Sequence, residues 1–412
     1  MFFFLFINFC LLLYSIYHLI RYILFLKSIK VKKMNNLDSV KYKLVIVIPC
    51  LNEQNTILDT VKYFKRIIKN TNIPIILVTT NKEKSSFSTK DIIEKEIMGK
   101  YENVFLCHYP KEVGVMADQL NYSIEHLKNY LPINYSEEET YFCVYNADSR
   151  PNKNTFNELV NCIKNNNYPL VIQQYSYAFS NYNNLSFISK GFAMYQSNFE
   201  IKIGLLNSYF DSVILHKHLV GHGLFIRLDL LKKLNGFNNK FWCEDIYMTA
   251  AINNLDIKIT PMLCLENMET PDKLSKIIKQ NSVWFSTSFN NLKIYNDVFK
   301  NQNKISIRGL FGWISELRSA VNWLFFPIVI LINLLISYKL GFIFFIISLV
   351  NYSNYVFIYS ITTIKLINIL NSIKIKYNFE HFITTFIATI ISNFGPLYYL
   401  IFRPKEKYKT ER

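Results

Sequence analysis

Paired cysteines are missing from this sequence. Its seven cysteines, Cys10, Cys50, Cys107, Cys143, Cys162, Cys243 and Cys264, are scattered through 412 residues, and none forms a Cys-x-x-Cys pair. That excludes a disulfide framework and a cysteine-based zinc site, and it suits a reducing compartment. Acidic residues are in deficit as well: 46 Lys and Arg face 30 Asp and Glu, for a formal charge of +16. Such a balance points to nucleic acid, an anionic membrane surface or an anionic substrate. No RNA- or DNA-binding motif accompanies the charge, which sets nucleic acid aside as a partner.

A cleavable leader is also lacking. Residues 1–26 are almost wholly apolar, with His18 and Arg21 as the strongly polar exceptions. A signal peptide has a charged start, a shorter apolar core and a small-residue cleavage site. This segment starts apolar and ends basic, so it reads as an uncleaved membrane anchor, long enough for the roughly 20 residues a spanning helix needs. Basic residues follow it at Lys27, Lys30, Lys32 and Lys33, and recur at Arg403, Lys405, Lys407, Lys409 and Arg412. Their placement beside apolar segments favours the cytoplasmic face of a membrane. Half of the residues are hydrophobic, as expected for a soluble domain flanked by membrane helices.

Residues 40–304 read as that domain. The run Lys43–Pro49 is continuous, apolar and β-branched, the pattern of a buried parallel strand. A polar turn and an amphipathic helix over 56–68 follow, the first half of a βαβ unit. Strands at 74–80, 104–107, 141–145 and 170–177 alternate with helices at 91–98, 114–127 and 156–164. This alternation predicts an α/β domain with a Rossmann-like, mainly parallel sheet. Ligands bind beyond the carboxyl ends of such strands.

Candidate chemistry gathers at those ends. Asp148, with Asn146, follows the fourth strand directly, where a divalent cation bridging a nucleotide diphosphate would lie; the competing reading is an Asx-turn or helix cap. Asn52 and Glu53 follow the first strand, where the functional reading is a nucleotide contact and the structural one a solvated first turn. Gly114, Asp118 and Asn121 open a helix whose start either faces phosphates or is a plain helix entry. His222 lies between two glycines that permit close approach to a ligand, or it is a satisfied loop histidine. Glu244 and Asp245 sit among aromatics, just after a Gly236-Phe237 turn. Asp245 reads as a general base with Glu244 as its neighbour; the alternative is a pair of carboxylates at the positive end of a helix dipole. Gln280 and Trp284 share one face of a helix, either to hold a sugar or to pack a core.

From residue 305 the character changes. The stretch 305–320 reads as an amphipathic helix at the membrane interface. Residues 321–402 hold about three apolar spans, at 321–337, 340–364 and 379–402, the first two joined through Tyr338-Lys339. Residues 403–412 form a basic tail. One anchor plus three spans would put that tail opposite the cytoplasmic domain, against the positive-inside rule. Either one apolar segment is re-entrant or the stretch 340–370 holds two short helices.

The order of these pieces resembles the membrane-bound family-2 glycosyltransferases, the class that includes hyaluronan, chitin and cellulose synthases. Its Pro-x-x-Asn-Glu strand end is seen at Pro49 to Glu53. Its Gly-Lys-Ala-x-x-Leu-Asn helix start is echoed by Ala117 to Asn121, its Asp-x-Asp metal motif by Asn146-Ala147-Asp148, and its Glu-Asp pair by Glu244-Asp245. The Gln-x-x-Arg-Trp motif is echoed by Gln280 to Trp284, and a Lys-Thr-x-Arg ending by Lys409 to Arg412. The resemblance implies a GT-A-type catalytic domain, a nucleotide-sugar donor such as a UDP-sugar, and Mg²⁺ or Mn²⁺ held by Asp148 and Asn146. It further implies inverting transfer to a saccharide or lipid-linked acceptor, with Asp245 as base and Glu244 beside it. Asn52, Glu53, Asp118, Asn121, His222, Arg227, Gln280 and Trp284 become substrate-binding candidates. No covalent intermediate is needed, in keeping with the absence of a nucleophile motif.

The departures define a second reading. Asn146 replaces the first metal-motif aspartate, Met116 the lysine, and Asn281 and Val283 stand in the arginine positions. Thr79-Thr80-Asn81 follows the second strand in place of an acidic residue. Arg227, His222 or Lys279 then compensates, or the chain is a catalytically impaired subunit of an envelope-polysaccharide complex.

Overall fold

The computed structural model describes residues 1–29, 43–68, 71–131 and 135–404. Lys30, Lys32, Lys33 and the basic tail from Lys405 to Arg412 lie outside the described residues. Helix α1 (Phe2–Ser28) comes first. The domain then alternates β1 (Lys43–Pro49), α2 (Ile57–Ile68), β2 (Ile75–Thr80), α3 (Thr89–Glu96), β3 (Val104–Tyr109), α4 (Met116–Glu125), β4 (Thr140–Val144) and α5 (Thr155–Asn165). Next are two short strands, β5 (Val171–Gln173) and β6 (Ser176–Tyr177), then α6 (Phe187–Phe199), a π-helical stretch (Glu200–Leu205) and α7 (Leu206–Phe210). The domain closes with β7 (Leu224–Arg227), α8 (Leu228–Lys233), α9 (Glu244–Asn254), β8 (Ile259–Pro261), β9 (Glu266–Asn267), α10 (Leu274–Phe289) and α11 (Asn291–Gln302).

Seven strands form one sheet in the order β3-β2-β1-β4-β7-β5-β8. All neighbours run parallel except at β7, which is antiparallel to both β4 and β5. The strands are apolar throughout because both faces are covered. Ile46 and Ile48 pack with Phe64, Ile93 and Phe156 of α2, α3 and α5. Val45 and Val47 pack with Leu120, Leu231 and Met248 of α4, α8 and α9. The stretch 170–177, read as one strand, is two: β5 stays in the main sheet, and β6 pairs with β9 in a second, two-stranded sheet. The buried Gln174 marks the switch, donating from its backbone to the Gly223 carbonyl at 2.8 Å.

Four segments are long and apolar enough to cross a membrane, which makes this a membrane protein: Phe2–Ser28, Ile307–Leu340, Phe342–Asn371 and Phe379–Phe402. No break separates the expected interfacial helix over 305–320 from the span after it; both belong to α12 (Ile307–Leu340). Nothing between Ser319 and Asn322 stops a helix, so the change from amphipathic to apolar alters what the helix touches without ending it. Its first turns lie against the α/β domain, where a Cβ on Gly309 would meet Asn254 Oδ1 at 2.5 Å. The turn to α13 (Phe342–Asn371) comes at Gly341, whose φ of 132° suits glycine, beyond the expected Tyr338-Lys339. Helix α13 is continuous, so the stretch 340–370 does not hold two short helices.

The last apolar segment is the broken one. It divides into α14 (Phe379–Ile390, 12 residues) and α15 (Phe394–Phe402, 9 residues). At 1.5 Å per residue these reach about 18 and 14 Å, each short of a bilayer core of roughly 30 Å. Each docks on the α/β domain through a glycine: Gly191 of α6 lies against the Thr384 carbonyl of α14, and Gly395 of α15 lies against Asn281 of α10. A side chain at 395 would strike the Asn281 backbone. Gly395→Val is therefore expected to cost about 1–3 kcal/mol by overpacking, read as a lowered melting midpoint of the purified protein. An unchanged midpoint would show that the two helices do not meet there.

Candidate active site

The antiparallel strand organises the site. Register pairs Leu224 with Val144 and Arg227 with Tyr141. The loop that precedes β7, Gly221-His222-Gly223, therefore arrives at the carboxyl end of β4, beside Asn146 and Asp148. Arg227 is carried to the opposite end of the sheet. There it forms a bidentate pair with Asp229, at 2.7 and 2.6 Å. Arg227 is thus removed from the substrate-binding candidates, because strand direction places it away from the ligand end.

A cavity at the strand ends is lined by Asn146, Asp148, Ser149, His222, Glu266 and Met268. Asn146 and Ser149 brace the turn reciprocally: the Asn146 backbone N–H donates to Ser149 Oγ at 3.0 Å, and the Ser149 N–H to the Asn146 carbonyl at 3.1 Å. His222 Nδ1 lies 2.9 Å from Glu266 Oε2, and both residues are buried. Burial works against the imidazolium, but the Glu266 carboxylate, with Glu200 and Asp245 adding to it, outweighs burial and raises the His222 pKa. Sequence reading missed Glu266, which lies on a two-residue strand with no periodic signal.

The second half of the site borders the same loop at Gly221. A Cβ on Gly221 would meet Glu244 Oε1 at 3.2 Å, Met116 Cε at 3.5 Å and Asp245 Oδ2 at 3.7 Å. Both carboxylates and the methionine in the expected lysine position thus border one glycine. Glu244 is buried and Asp245 is half-buried, both in the first turn of α9. Carboxylates commonly stand at the positive end of a helix, so the helix-start reading and the base reading describe one arrangement. Leu219 N–H donates to Thr249 Oγ1 at 2.8 Å, and Thr249 Oγ1 to the Asp245 carbonyl at 2.8 Å, which ties loop to helix.

What holds the loop is Gln173, fully buried on β5. Its Oε1 accepts from Val220 N–H at 3.0 Å, and its Nε2 donates to the His222 carbonyl at 2.9 Å. Gly223 has φ +60°, and a Cβ there would come within 2.6 Å of the Gln174 carbonyl, so only glycine fits. Two adjacent glutamines in an otherwise buried strand were the visible signal for this anchor.

Other candidates position rather than line. Asp118 caps the start of α4, accepting from Val115 N–H at 2.7 Å, and its other oxygen accepts from Asn239 at 2.7 Å. Asn121 holds the Phe237 backbone both ways, at 2.8 and 2.7 Å. Together they fasten α4 to the turn leading into Glu244. Asn52 adopts φ +53°, and its N–H donates to Glu83 Oε1 at 2.6 Å, while Glu53 N–H donates to Thr89 Oγ1 at 2.8 Å. Glu83 is the acid beyond β2, but it accepts from Thr89 N–H and hydroxyl as well, at 2.6 and 2.7 Å, and so serves the loop. Gln280 is buried and Trp284 half-buried, one turn apart on α10, the helix that α15 covers at Asn281.

Residues 45–231 match the model of glycosyl transferase family 2, and residues 141–366 that of glycosyl transferase family group 2. The chain belongs to the family-2 glycosyltransferases. No curated protein matches this glycosyltransferase. Among solved structures, the mannosyltransferase PcManGT from Pyrobaculum calidifontis, in complex with GDP-Man and Mn²⁺, aligns at 12% identity and a TM-score of 0.49. That alignment covers 96% of this chain and 99% of the other. TarS 1-349 from S. aureus, in complex with UDP-GlcNAc, aligns at 12% identity and a TM-score of 0.43, over 86% and 92%.

The His222–Glu266 pair carries a pH signature. Because the folded pKa of His222 is raised, its stabilisation is fully present below the unfolded value of about 6.5 and is lost as pH rises through the folded value. Denaturation midpoints measured across that window should fall with pH in the parent protein and fall less in Glu266→Gln. Parallel curves for the two would overturn the pairing.

Proposed function

We propose that this glycosyltransferase moves a sugar from a nucleotide-sugar donor to a saccharide or lipid-linked acceptor, with inversion, at the cytoplasmic face of the membrane. The observation that carries the reading is the shared loop: His222 lines a cavity with Asp148, and Asp245 borders the adjacent Gly221. A diphosphate leaving toward Asp148 and an acceptor hydroxyl meeting Asp245 would then flank one anomeric carbon. Asp245 takes the hydroxyl proton as that oxygen attacks. The buried Glu244 lies beside it in the first turn of α9. Trp284 and Gln280 hold the acceptor end.

The donor set fits a divalent cation. Asp148 offers one carboxylate and Asn146 an amide oxygen, in a cavity that Ser149, His222 and Glu266 also line. Among the described residues, no group of three or more His, Cys, Asp or Glu could form a closed cage. Mg²⁺ and Mn²⁺ suit such an open set, since they are completed by phosphate oxygens and water. A bound cation would supply charge stabilisation to the departing diphosphate. His222, whose pKa the Glu266 carboxylate raises, favours positive charge where Met116 supplies none.

The broken last segment supports the orientation. Two short helices docked on the domain fit a segment that enters the membrane and returns. That leaves Arg403 on the domain side and removes the conflict with the positive-inside rule.

Asp245→Asn should keep membrane insertion and lose roughly 10²–10⁴-fold in turnover, about 3–5 kcal/mol of barrier. Nucleotide release from a panel of nucleotide sugars measures it, and near-parental turnover would sink the assignment. Asp148→Ala should weaken the dependence of that release on added Mg²⁺ or Mn²⁺; an unchanged metal titration counts against its role. Met116 in the lysine position favours a second reading, an impaired assembly subunit. No release from any donor in the parent protein would establish that reading.

A further inference from the structure

Two basic side chains are buried where the membrane helices meet the α/β domain, and among the described residues neither forms an ion pair with a carboxylate. Arg21 of α1 is 5% exposed and Lys202, in the π-helical stretch after α6, is 0% exposed. Arg21 Nη1 donates to the Lys202 carbonyl at 3.2 Å, so the two residues adjoin. Lys202 Nζ donates to Thr362 Oγ1 of α13 at 2.6 Å. Asp211 pairs with Lys217 and Arg308, and Glu200 Oε1 lies 3.8 Å from His218 Nε2 while its Oε2 is buried without a hydrogen-bond partner. Among the described residues, no carboxylate forms an ion pair with Arg21 or Lys202.

The same place holds unmet donors. Arg21 Nη2 and both ring nitrogens of His18 are buried without a hydrogen-bond partner. Aromatic rings enclose the group. The Arg21 guanidinium lies 5.2 Å from the Tyr17 ring centre and 5.5 Å from that of Phe210, and Lys202 Nζ lies 5.8 Å from that of Tyr22. His18 packs edge-on against Tyr14 and Tyr359, at 4.4 and 4.6 Å. A buried cation without an anion is strongly disfavoured in a medium of low dielectric. Ionisable groups inside a membrane bundle are by default functional, and π-helical insertions recur at functional sites.

Depth fixes the class of anion. Arg21 and Thr362 lie near the ends of α1 and α13, which finish at Ser28 and Asn371. Both ends touch the domain: Ser28 Oγ accepts from the Tyr209 hydroxyl at 2.9 Å, and Asn371 brackets Leu265 at 2.8 and 3.0 Å. On α13, Lys365 is exposed just beyond Thr362, as a side chain reaching for the headgroup layer would be. The cluster therefore lies between α1 and α13 in their domain-side halves, about 10 and 14 Å before the two helix ends, with exposed residues of α1 beside it.

We infer that Arg21, Lys202 and His18 bind the phosphate group of a membrane lipid, with the lipid chain lying along α1. The guanidinium supplies a two-pronged donor and the ammonium a point charge, the complementary pair that phosphate recognition uses. A phosphate there would complete the unmet donors and neutralise both cations. Where it names the acceptor as a lipid phosphate, this inference rests on the transferase reading above.

The test uses the full chain in phosphatidylcholine nanodiscs, with native mass spectrometry to read bound probe. Farnesyl phosphate should bind at least tenfold more tightly than farnesol. Arg21→Gln and Lys202→Gln should each erase that preference, and Arg21→Lys should restore most of it, at melting midpoints matching the parent. Displacement of farnesyl phosphate by equimolar phosphatidylglycerol would assign the site to bulk anionic lipid; resistance to it would assign the site to a lipid-linked substrate. Equal binding of phosphate and alcohol, unaltered binding in both glutamine variants, or displacement by equimolar inorganic phosphate would overturn the inference. Nucleotide release measured on the same preparation separates the two readings. Phosphate preference without release supports this site against the transferase reading, and release without preference does the reverse.

Discussion

One antiparallel strand sets the geometry of this glycosyltransferase. Six strands of the main sheet point the same way, and β7 points back. Because of that reversal, the residues before β7, not those after it, reach the ligand end. The Gly-His-Gly loop then borders the turn after β4 and the start of α9. Gln173 holds it in place with an amide that meets backbone groups from Val220 to Gly223. A buried amide satisfied on both its donor and acceptor sides is rigidifying, which suits a loop that borders both Asp148 and Asp245.

The membrane part is joined to this domain by contact as well as by sequence. Phe25 of α1 and Leu366 and Ile367 of α13 share one apolar cluster with Tyr175, Ile201 and Leu205 of the domain. Helix α12 starts on α9, and α14 and α15 cover α6 and α10. Glycines make these approaches close, as small residues do in membrane packing. The buried Lys202 and Arg21 lie at the centre of this junction. Apolar packing brings them together, and their unbalanced charge is what packing alone leaves unexplained.

Much of the fold was legible. Continuous β-branched runs such as Lys43–Pro49 mark strands covered on both faces, and the alternation with helices allows few topologies. Position along the chain also placed Asp148 and Asp245 at element ends, where charge is tolerated. Strand direction was not legible. Leu224–Arg227 has the same apolar pattern whichever way it runs, so the sequence does not tell which end of the sheet Arg227 reaches. Asp118 and Asn121 looked like ligand-facing residues because a helix cap and a phosphate-facing helix start share the same residue types.

Length, hydropathy and residue order thus determined the class of this protein by themselves: an α/β domain, membrane helices and the sites where acids end strands. These follow from local periodicity, which each segment carries in its own residues. The tertiary structure alone decided that Glu266 meets His222, that Gln173 holds the loop, that residues 379–402 break in two, and that Arg21 adjoins Lys202. Those pairs are separated by long stretches of chain, and nothing in either local segment encodes its distant partner. Only the packing of the whole chain brings such residues within hydrogen-bonding distance.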